Sequence, residues 1–206
     1  MSNELWINWA IELQSLAQAG LFYGKDVYDK ERYERIREIS AEMMAHISDI
    51  PIERVKELFC NEVGYQTPKI DTRAAIFQNG KILLVHESNG TWSLPGGWCD
   101  VNISVAENTI KEVKEESGLD VIADKIIAIQ DRAKHNQPLY AYGICKIFVE
   151  CVLVGGSFIE NSETTGYAYF SEDELPLLAE EKNNETQIKM CFEAYRSGER
   201  WKTTFD

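Results

Sequence analysis

Three glutamates stand within one turn of each other near the middle of the chain: Glu112, Glu115 and Glu116. On a helix, the i, i+3 and i+4 spacing crowds their carboxylates onto a single face, where like charges repel by roughly 0.2–0.5 kcal/mol per pair. A hard divalent cation offsets that repulsion. Mg²⁺ and Mn²⁺ take oxygen donors and keep several waters, so this spacing makes the three carboxylates candidate metal ligands.

The elements that must position them can be read on either side. Ser104-Val105-Ala106-Glu107 has the pattern of a capping box that starts a helix. Gly118 falls where a left-handed residue would end it. Between them Ala106, Ile110, Val113 and Ser117 recur at helical spacing and predict the buried stripe, with the three acids on a separate arc. Lys111 lies one turn before Glu115 and can pair with it. Upstream, Trp92-Ser93-Leu94-Pro95-Gly96-Gly97 predicts a short strand, then a turn whose glycines let the backbone approach a ligand and aim a carbonyl at it.

Taken together, Gly97 to Leu119 resembles the Nudix box, G-x5-E-x7-R-E-U-x-E-E-x-G-U with U apolar. Gly97, Glu112, Val113, Glu115, Glu116, Gly118 and Leu119 match it. Ile103 stands where the first glutamate is expected, and Lys111 replaces the arginine that orients the metal-binding carboxylates. Lysine keeps the charge and loses the planar bidentate fork. The likeness extends to Pro68–Arg73, Leu83-Leu84-Val85 and the G-G-W-C-D-V form of the box. It points to the branch of the superfamily with a helical N-terminal extension, which acts on nucleoside diphosphates linked to another moiety (NDP-X). What the resemblance implies is Mg²⁺- or Mn²⁺-dependent cleavage of the pyrophosphate bond, giving NMP and X-phosphate, with CDP-choline the favoured substrate and ADP-ribose next. It also implies Glu112, Glu115 and Glu116 as metal ligands, a Gly96 carbonyl as a further ligand, and a homodimer with the extension near the active site.

Hydrolysis of a phosphoanhydride needs charge neutralised on the diphosphate and a water held in line. The base that takes the water's proton is either a box glutamate or a carboxylate from a loop, with Glu163 in Asn161-Ser162-Glu163-Thr164 the loop candidate. Arg73 and Arg132 are candidates for gripping phosphate, and Gly97 for approaching substrate. His135 sits on an expected loop; His46 and His86 show no metal spacing with any other ligand.

The formal net charge of −13 over 206 residues argues against DNA binding and disfavours RNA, both of which need lysine and arginine spread over a surface. It does not oppose a small phosphorylated substrate, because bound metal inverts the local field. The start lacks a basic leader and no apolar run reaches membrane-spanning length, so the expected location is cytoplasmic, away from membranes. Cys60, Cys99, Cys145, Cys151 and Cys191 are odd in number, without C-x-x-C spacing, and are expected as free thiols.

Residues 1–66 predict a helical domain that carries substrate or dimer contacts, and 67–206 the hydrolase domain, with the boundary at Thr67-Pro68. Leu5, Trp6, Trp9, Ala10, Leu13, Leu16 and Ala17 predict an amphipathic helix ended by Gly20. Tyr33, Ile36, Ser40, Met43, Met44 and Ile47 mark a second helix. Pro51 opens a third, with Val55, Leu58 and Phe59 inward and Gly64 closing it. Lys30, Arg32, Arg35 and Arg37 alternate with acids, the pattern of a solvated ion-paired face. Trp6, Trp9, Phe22, Tyr23 and Tyr28 suit a core or subunit interface, or the boxing of a quaternary ammonium.

Beyond Pro68 the period changes to that of strands. Ile70–Phe77 and Lys81–His86 flank an Asn-Gly turn, and Val121–Asp131, Cys145–Val154 and Tyr167–Phe170 follow. Ser171–Glu174 predicts the cap of a short helix and Glu185–Arg196 a C-terminal one. The fold class is α+β; the resemblance specifies the Nudix α/β/α sandwich with a mixed sheet, preceded by a small all-α domain. Two other readings compete: an RNA phosphodiester or cap hydrolase, and a non-catalytic sensor of nucleotide sugars.

Overall fold

A computed structural model describes residues 3–48, 50–140, 142–159 and 161–206. The chain divides into two compact units, Met1–Pro68 with Leu139–Gly143, and Lys69–Pro138 with Ile144–Asp206.

The first unit is built on helices α1 (Asn3–Tyr23), α2 (Val27–Ser48) and α3 (Ile52–Phe59). Its core gathers Ala10, Ala41, Met44, Val55 and Phe59. Three sequence expectations change here. Helix α1 runs through Gly20 instead of stopping there, because the glycine serves packing: a Cβ would fall 2.4 Å from the Tyr33 ring on α2. The buried stripe of α1 is made by Ala10, Gln14, Ala17 and Gln18, while Trp6, Trp9 and Leu16 are exposed. Small residues let the two long helices approach closely, and the large apolar ones turn outward. Helix α3 ends at Phe59, five residues short of Gly64, and Pro51 caps it from outside the first turn. Leu58 is exposed.

The second unit is a seven-stranded mixed sheet with a helix on each face. Its strands are β1 (Lys69–Gln78), β2 (Lys81–Glu87), β3 (Trp92–Ser93), β4 (Leu119–Asp131), β5 (Ile144–Gly156), β6 (Thr164–Phe170) and β7 (Thr204–Phe205). The order is β3-β2-β1-β5-β4-β7, with β6 paired to β2. The β1–β5 and β4–β7 pairs are parallel and the rest antiparallel. The Asn79-Gly80 turn closes the first hairpin with both residues at positive φ, as a two-residue primed turn requires.

Successive residues of a strand face opposite ways, and the core divides accordingly. Leu83, Val85, Ile147 and Val149 pack with Val113 of helix α4 (Val105–Ser117). Ile82, Leu84 and Phe148 pack with Ile188, Cys191 and Phe192 of helix α6 (Glu185–Ser197). This is the expected α/β/α sandwich.

Between β4 and β5 the chain makes a four-residue helix, α5 (Arg132–His135), where a loop was expected. Ser171–Glu174 forms a single turn, closed by the Glu174 N–H on the Ser171 carbonyl at 3.2 Å, and no helix follows. Pro176 explains this: it lacks an N–H and drives the residue before it out of the helical region. The five cysteines are free thiols. Among the described residues no helix is long and apolar enough to cross a membrane.

Candidate active site

Helix α4 begins and ends as its sequence dictates. Ser104 Oγ accepts the Glu107 N–H at 3.2 Å and Glu107 Oε2 accepts the Ser104 N–H at 2.8 Å. Gly118 ends the helix at φ 73°, and a Cβ there would fall 2.2 Å from the Ser157 carbonyl. The buried face, however, is Asn108, Thr109, Val113, Glu116 and Ser117, while Ala106 and Ile110 are exposed. Glu116 therefore belongs to the buried face and not to a separate acidic arc. At about 100° per residue it lies between Asn108 and Thr109 around the helix, within the buried arc that continues to Val113 and Ser117.

The loop after β3 meets Glu116 there. Pro95, Gly97 and Cys99 pair with β1 almost as a further strand. The Ala74 and Thr72 N–H groups donate to the Pro95 and Gly97 carbonyls at 2.8 and 2.9 Å, and the Cys99 N–H donates to Ile70. Gly96 sits at φ 148°, where a Cβ would fall 1.9 Å from the Thr72 carbonyl, so only glycine fits. Its N–H donates to Glu116 Oε2 at 2.9 Å. A Cβ on Gly97 would fall 2.7 Å from Glu112 Oε2. The paired glycines thus bring loop backbone onto two of the three carboxylates. Gly96→Ala is expected to cost about 3 kcal/mol or more, since backbone must shift and strain is added. Urea denaturation alongside activity measures this, and a wild-type midpoint would refute it.

The electrostatics are those of carboxylates held away from water. Glu116 is 4% exposed. Burial pushes its pKa up to about 7, against the pull of the Arg73 guanidinium and the Gly96 N–H. Burial also raises Glu112, opposed by a hydrogen bond from Lys111. Glu115 is exposed. Lys111 Nζ stands 3.2 Å from Asp100, 3.3 Å from Glu112 and 3.5 Å from Glu115. Burial lowers the lysine's affinity for its proton, but the bonds to Asp100 and Glu112 outweigh this and raise it. A point charge shared among three carboxylates takes the place of a bidentate fork. Asp100 was not singled out in the sequence.

Arg73 and Arg132, the two expected phosphate ligands, are both buried. Arg73 is 5% exposed, bidentate on Asp71 at 2.8 and 3.1 Å, and donates to the Leu94 carbonyl at 3.3 Å. Arg132 is 3% exposed and donates to the carbonyls of Glu181 and Pro138. Both guanidinium groups are thus bonded within the protein, Arg73 to Asp71 and the Leu94 carbonyl and Arg132 to two backbone carbonyls. Each sits on a sheet or helix face turned into the core, which alternation in the sequence does not reveal when the side chain is charged. His135 pairs with Asp206. Glu163 is exposed, on a loop fixed to helix α4 by Asn161 Nδ2 and Thr164 Oγ1, both donating to the Glu116 carbonyl.

In the first unit Trp6 packs edge-on against Trp9, and Phe22 against Tyr23. The pairs lie about 20 Å apart along α1, at 1.5 Å per residue, so one chain does not bring them into a common box. Arg32 pairs with Asp29, and Arg35 with Glu38 and Glu42, as a solvated charged face requires.

Residues 68–191 match the family described as the NUDIX domain, and residues 4–59 the family described as the UDP-X-like, N-terminal oligomerisation domain. The Bacillus subtilis protein YjhB, provisionally named an ADP-ribose pyrophosphatase, is 44% identical over 98% of this chain and 97% of its own. A crystal structure of a Streptococcus suis ADP-ribose pyrophosphatase is 54% identical over 68% of this chain and all of its own, with a TM-score of 0.64. A crystal structure of a UDP-X diphosphatase is 31% identical over the full length of both, with a TM-score of 0.64. The chain belongs to the Nudix hydrolases and is an enzyme of that family.

Nudix hydrolases use divalent metal ions. The donor set here fits one: it is all hard oxygen, and Glu116 is a buried carboxylate whose desolvation outweighs the positive charge near it. The space against Glu112, which a side chain at residue 97 would fill, is left open by glycine. Among the described residues, no three acidic, histidine or cysteine side chains close around one point. Lys111 draws Glu112 and Glu115 to itself, and Glu116 is turned to Gly96.

Proposed function

We propose that the protein hydrolyses the pyrophosphate bond of a nucleoside diphosphate linked to a second moiety, giving NMP and X-phosphate, with Mg²⁺ or Mn²⁺ as cofactor. The observation that carries this is the buried Glu116 carboxylate held by the Gly96 N–H, one helical turn from Glu112. Glu112, Glu115, Glu116 and the Gly96 carbonyl are the proposed ligands. When bound, the ion neutralises charge on the diphosphate and acidifies a water.

The chain's own residues set the geometry of that step. The Gly96 N–H fixes the orientation of Glu116, and Lys111 restrains Glu112 and Glu115. The turn at Gly96-Gly97 keeps side chains out of the space a diphosphate would enter. Glu163, next to a residue bonded to the Glu116 carbonyl, is the proposed general base.

ADP-ribose stands beside CDP-choline as a proposed substrate, supported by relatives named for the former at 44% and 54% identity. Residues 1–66 are proposed as a domain through which two copies associate. The description of the matching family supports this, as do the exposed apolar side chains of Trp6, Trp9, Leu16, Phe22, Tyr23 and Tyr28. The deciding experiment presents ADP-ribose, CDP-choline, UDP-glucose, a dinucleoside polyphosphate and capped RNA with Mg²⁺ or Mn²⁺ and identifies the products. Release of NMP from an NDP-X compound is the expected result. Cleavage of RNA alone, or binding without turnover, would overturn the proposal.

A further inference from the structure

The segment Glu180–Asn183, which runs without regular structure between β6 and α6, is held by buried side chains along its length. Three successive carbonyls each accept a hydrogen bond. Asn136 Nδ2 donates to Glu180 at 2.7 Å, Arg132 Nε to Glu181 at 3.3 Å, and Lys146 Nζ to Lys182. Lys146 is 1% exposed and also stands 3.7 Å from Asp71. Burial pushes its pKa down to about 7, reinforced by Arg73 and opposed by Asp71. Burying an amine costs several kcal/mol unless it is well bonded, and here Asp71, the Asn136 amide oxygen and the Lys182 carbonyl surround it.

The segment's own side chains bond to the end of β2 and to the residue that follows β3. Lys182 Nζ stands 2.6 Å from Glu87 Oε1, which also accepts the Ser93 hydroxyl. Asn183 is fully buried, and its Oδ1 accepts the Leu94 N–H at 2.7 Å. Leu94 lies just past the end of β3, where the ladder no longer supplies partners. Its N–H is taken by Asn183 and its carbonyl by Arg73, so both peptide groups are fixed two residues before Gly96.

We infer that Asn183 is a positioning residue for hydrolysis: by holding the Leu94 N–H it sets where the Pro95–Gly97 turn begins, and through it the register of Gly96 against Glu116. Residues 180–182, clamped from below by Asn136, Arg132 and Lys146, give Asn183 a rigid base from which to act. The inference rests on the assignment of Gly96 and Glu116 to the site. A misplacement of about 1 Å at a reacting centre can lower a rate a hundredfold, so an indirect contact of this kind can have a large effect without touching substrate.

The test compares Asn183→Ser, whose hydroxyl is too short to reach Leu94, with Asn183→Asp, which keeps an acceptor oxygen in place. Three quantities are read in the full chain: Mn²⁺ dissociation constant by calorimetry, kcat and KM on the NDP-X compound the wild type cleaves, and hydrogen exchange at the Leu94 amide. Asn183→Ser is expected to weaken Mn²⁺ about tenfold and lower kcat about 10- to 100-fold with KM within about twofold. The Leu94 amide should exchange faster, and Asn183→Asp should recover most of each loss. Wild-type Mn²⁺ affinity and kcat in Asn183→Ser would overturn the inference, as would unfolding of that variant or equal losses in both variants. Glu116→Gln serves as the control. If it binds Mn²⁺ and turns over like the wild type, the site assignment itself has failed; if it is defective while Asn183→Ser is normal, only the role of Asn183 has.

Discussion

Replacing Glu116 by glutamine is expected to lower turnover on the order of a thousandfold, equivalent to about 4 kcal/mol of transition-state stabilisation, while leaving the fold intact. Glutamine keeps the oxygen that accepts the Gly96 N–H at 2.9 Å, so the loop retains its anchor. What is removed is the charge. In the wild type that charge is 4% exposed, and burial is the largest influence on its protonation. A neutral side chain of the same shape escapes the desolvation penalty, so without metal the variant should be at least as stable as the wild type above pH 7. Lost activity with retained or raised stability is the signature of a residue kept for chemistry at the expense of packing. Glu112→Gln should behave alike in activity and less so in stability, since Glu112 is less deeply buried and already paired with Lys111. Steady-state rates and urea midpoints of the two variants check this. Near wild-type turnover in Glu116→Gln would remove Glu116 from the ligand set.

The parts of this site that are legible in the sequence are those fixed by neighbours along the chain. The Ser104–Glu107 box, the left-handed Gly118 and the glycine turn at Gly96 each follow from local stereochemistry, and the structure has them as read. The strands, the Asn79-Gly80 hairpin and the sandwich are legible for the same reason, because periodicity and turn chemistry act over a few residues. What escapes is set by partners far along the chain. The burial of Glu116 depends on Gly96, 20 residues away, and the anchoring of Leu94 on Asn183, 89 residues away. Arg73 reads as a candidate phosphate ligand, and its buried pairing with Asp71 on the same inward face of β1 is not visible in the sequence. Gly20 illustrates the same limit from the other side. Glycine is a common helix terminator, yet here its absent side chain makes room for Tyr33 from another helix. Local signals locate the helix of the proposed ligands; the support beneath it is tertiary.

With metal removed by chelator, the protein is expected to lose stability as pH rises from about 4.5 to 7, and Mg²⁺ should restore it most at the upper end. The sign follows from Glu116. Its folded pKa is raised from the ordinary 4.5 to about 7, with burial the first cause. Between those values the native state holds a proton that the unfolded chain has released, so unfolding releases it and stability falls with rising pH. At about 1.36 kcal/mol per pH unit, the window corresponds to at most about 3.4 kcal/mol. Glu112 is shifted in the same direction and adds to the slope within its own range. A divalent ion binds the ionised carboxylates, so it competes with the proton and its stabilisation grows as pH rises. At a hundred times its dissociation constant, bound ion contributes about 2.7 kcal/mol, enough to offset most of the loss. Urea denaturation at several pH values, in chelator and in excess Mg²⁺, reads both curves. In Glu116→Gln the slope in chelator should flatten, since the group that titrates in the window is gone. If the chelated wild type instead gains stability through this range, Glu116 is ionised in the fold without metal, and the loop–helix contact at Gly96 must be stabilising the charge on its own.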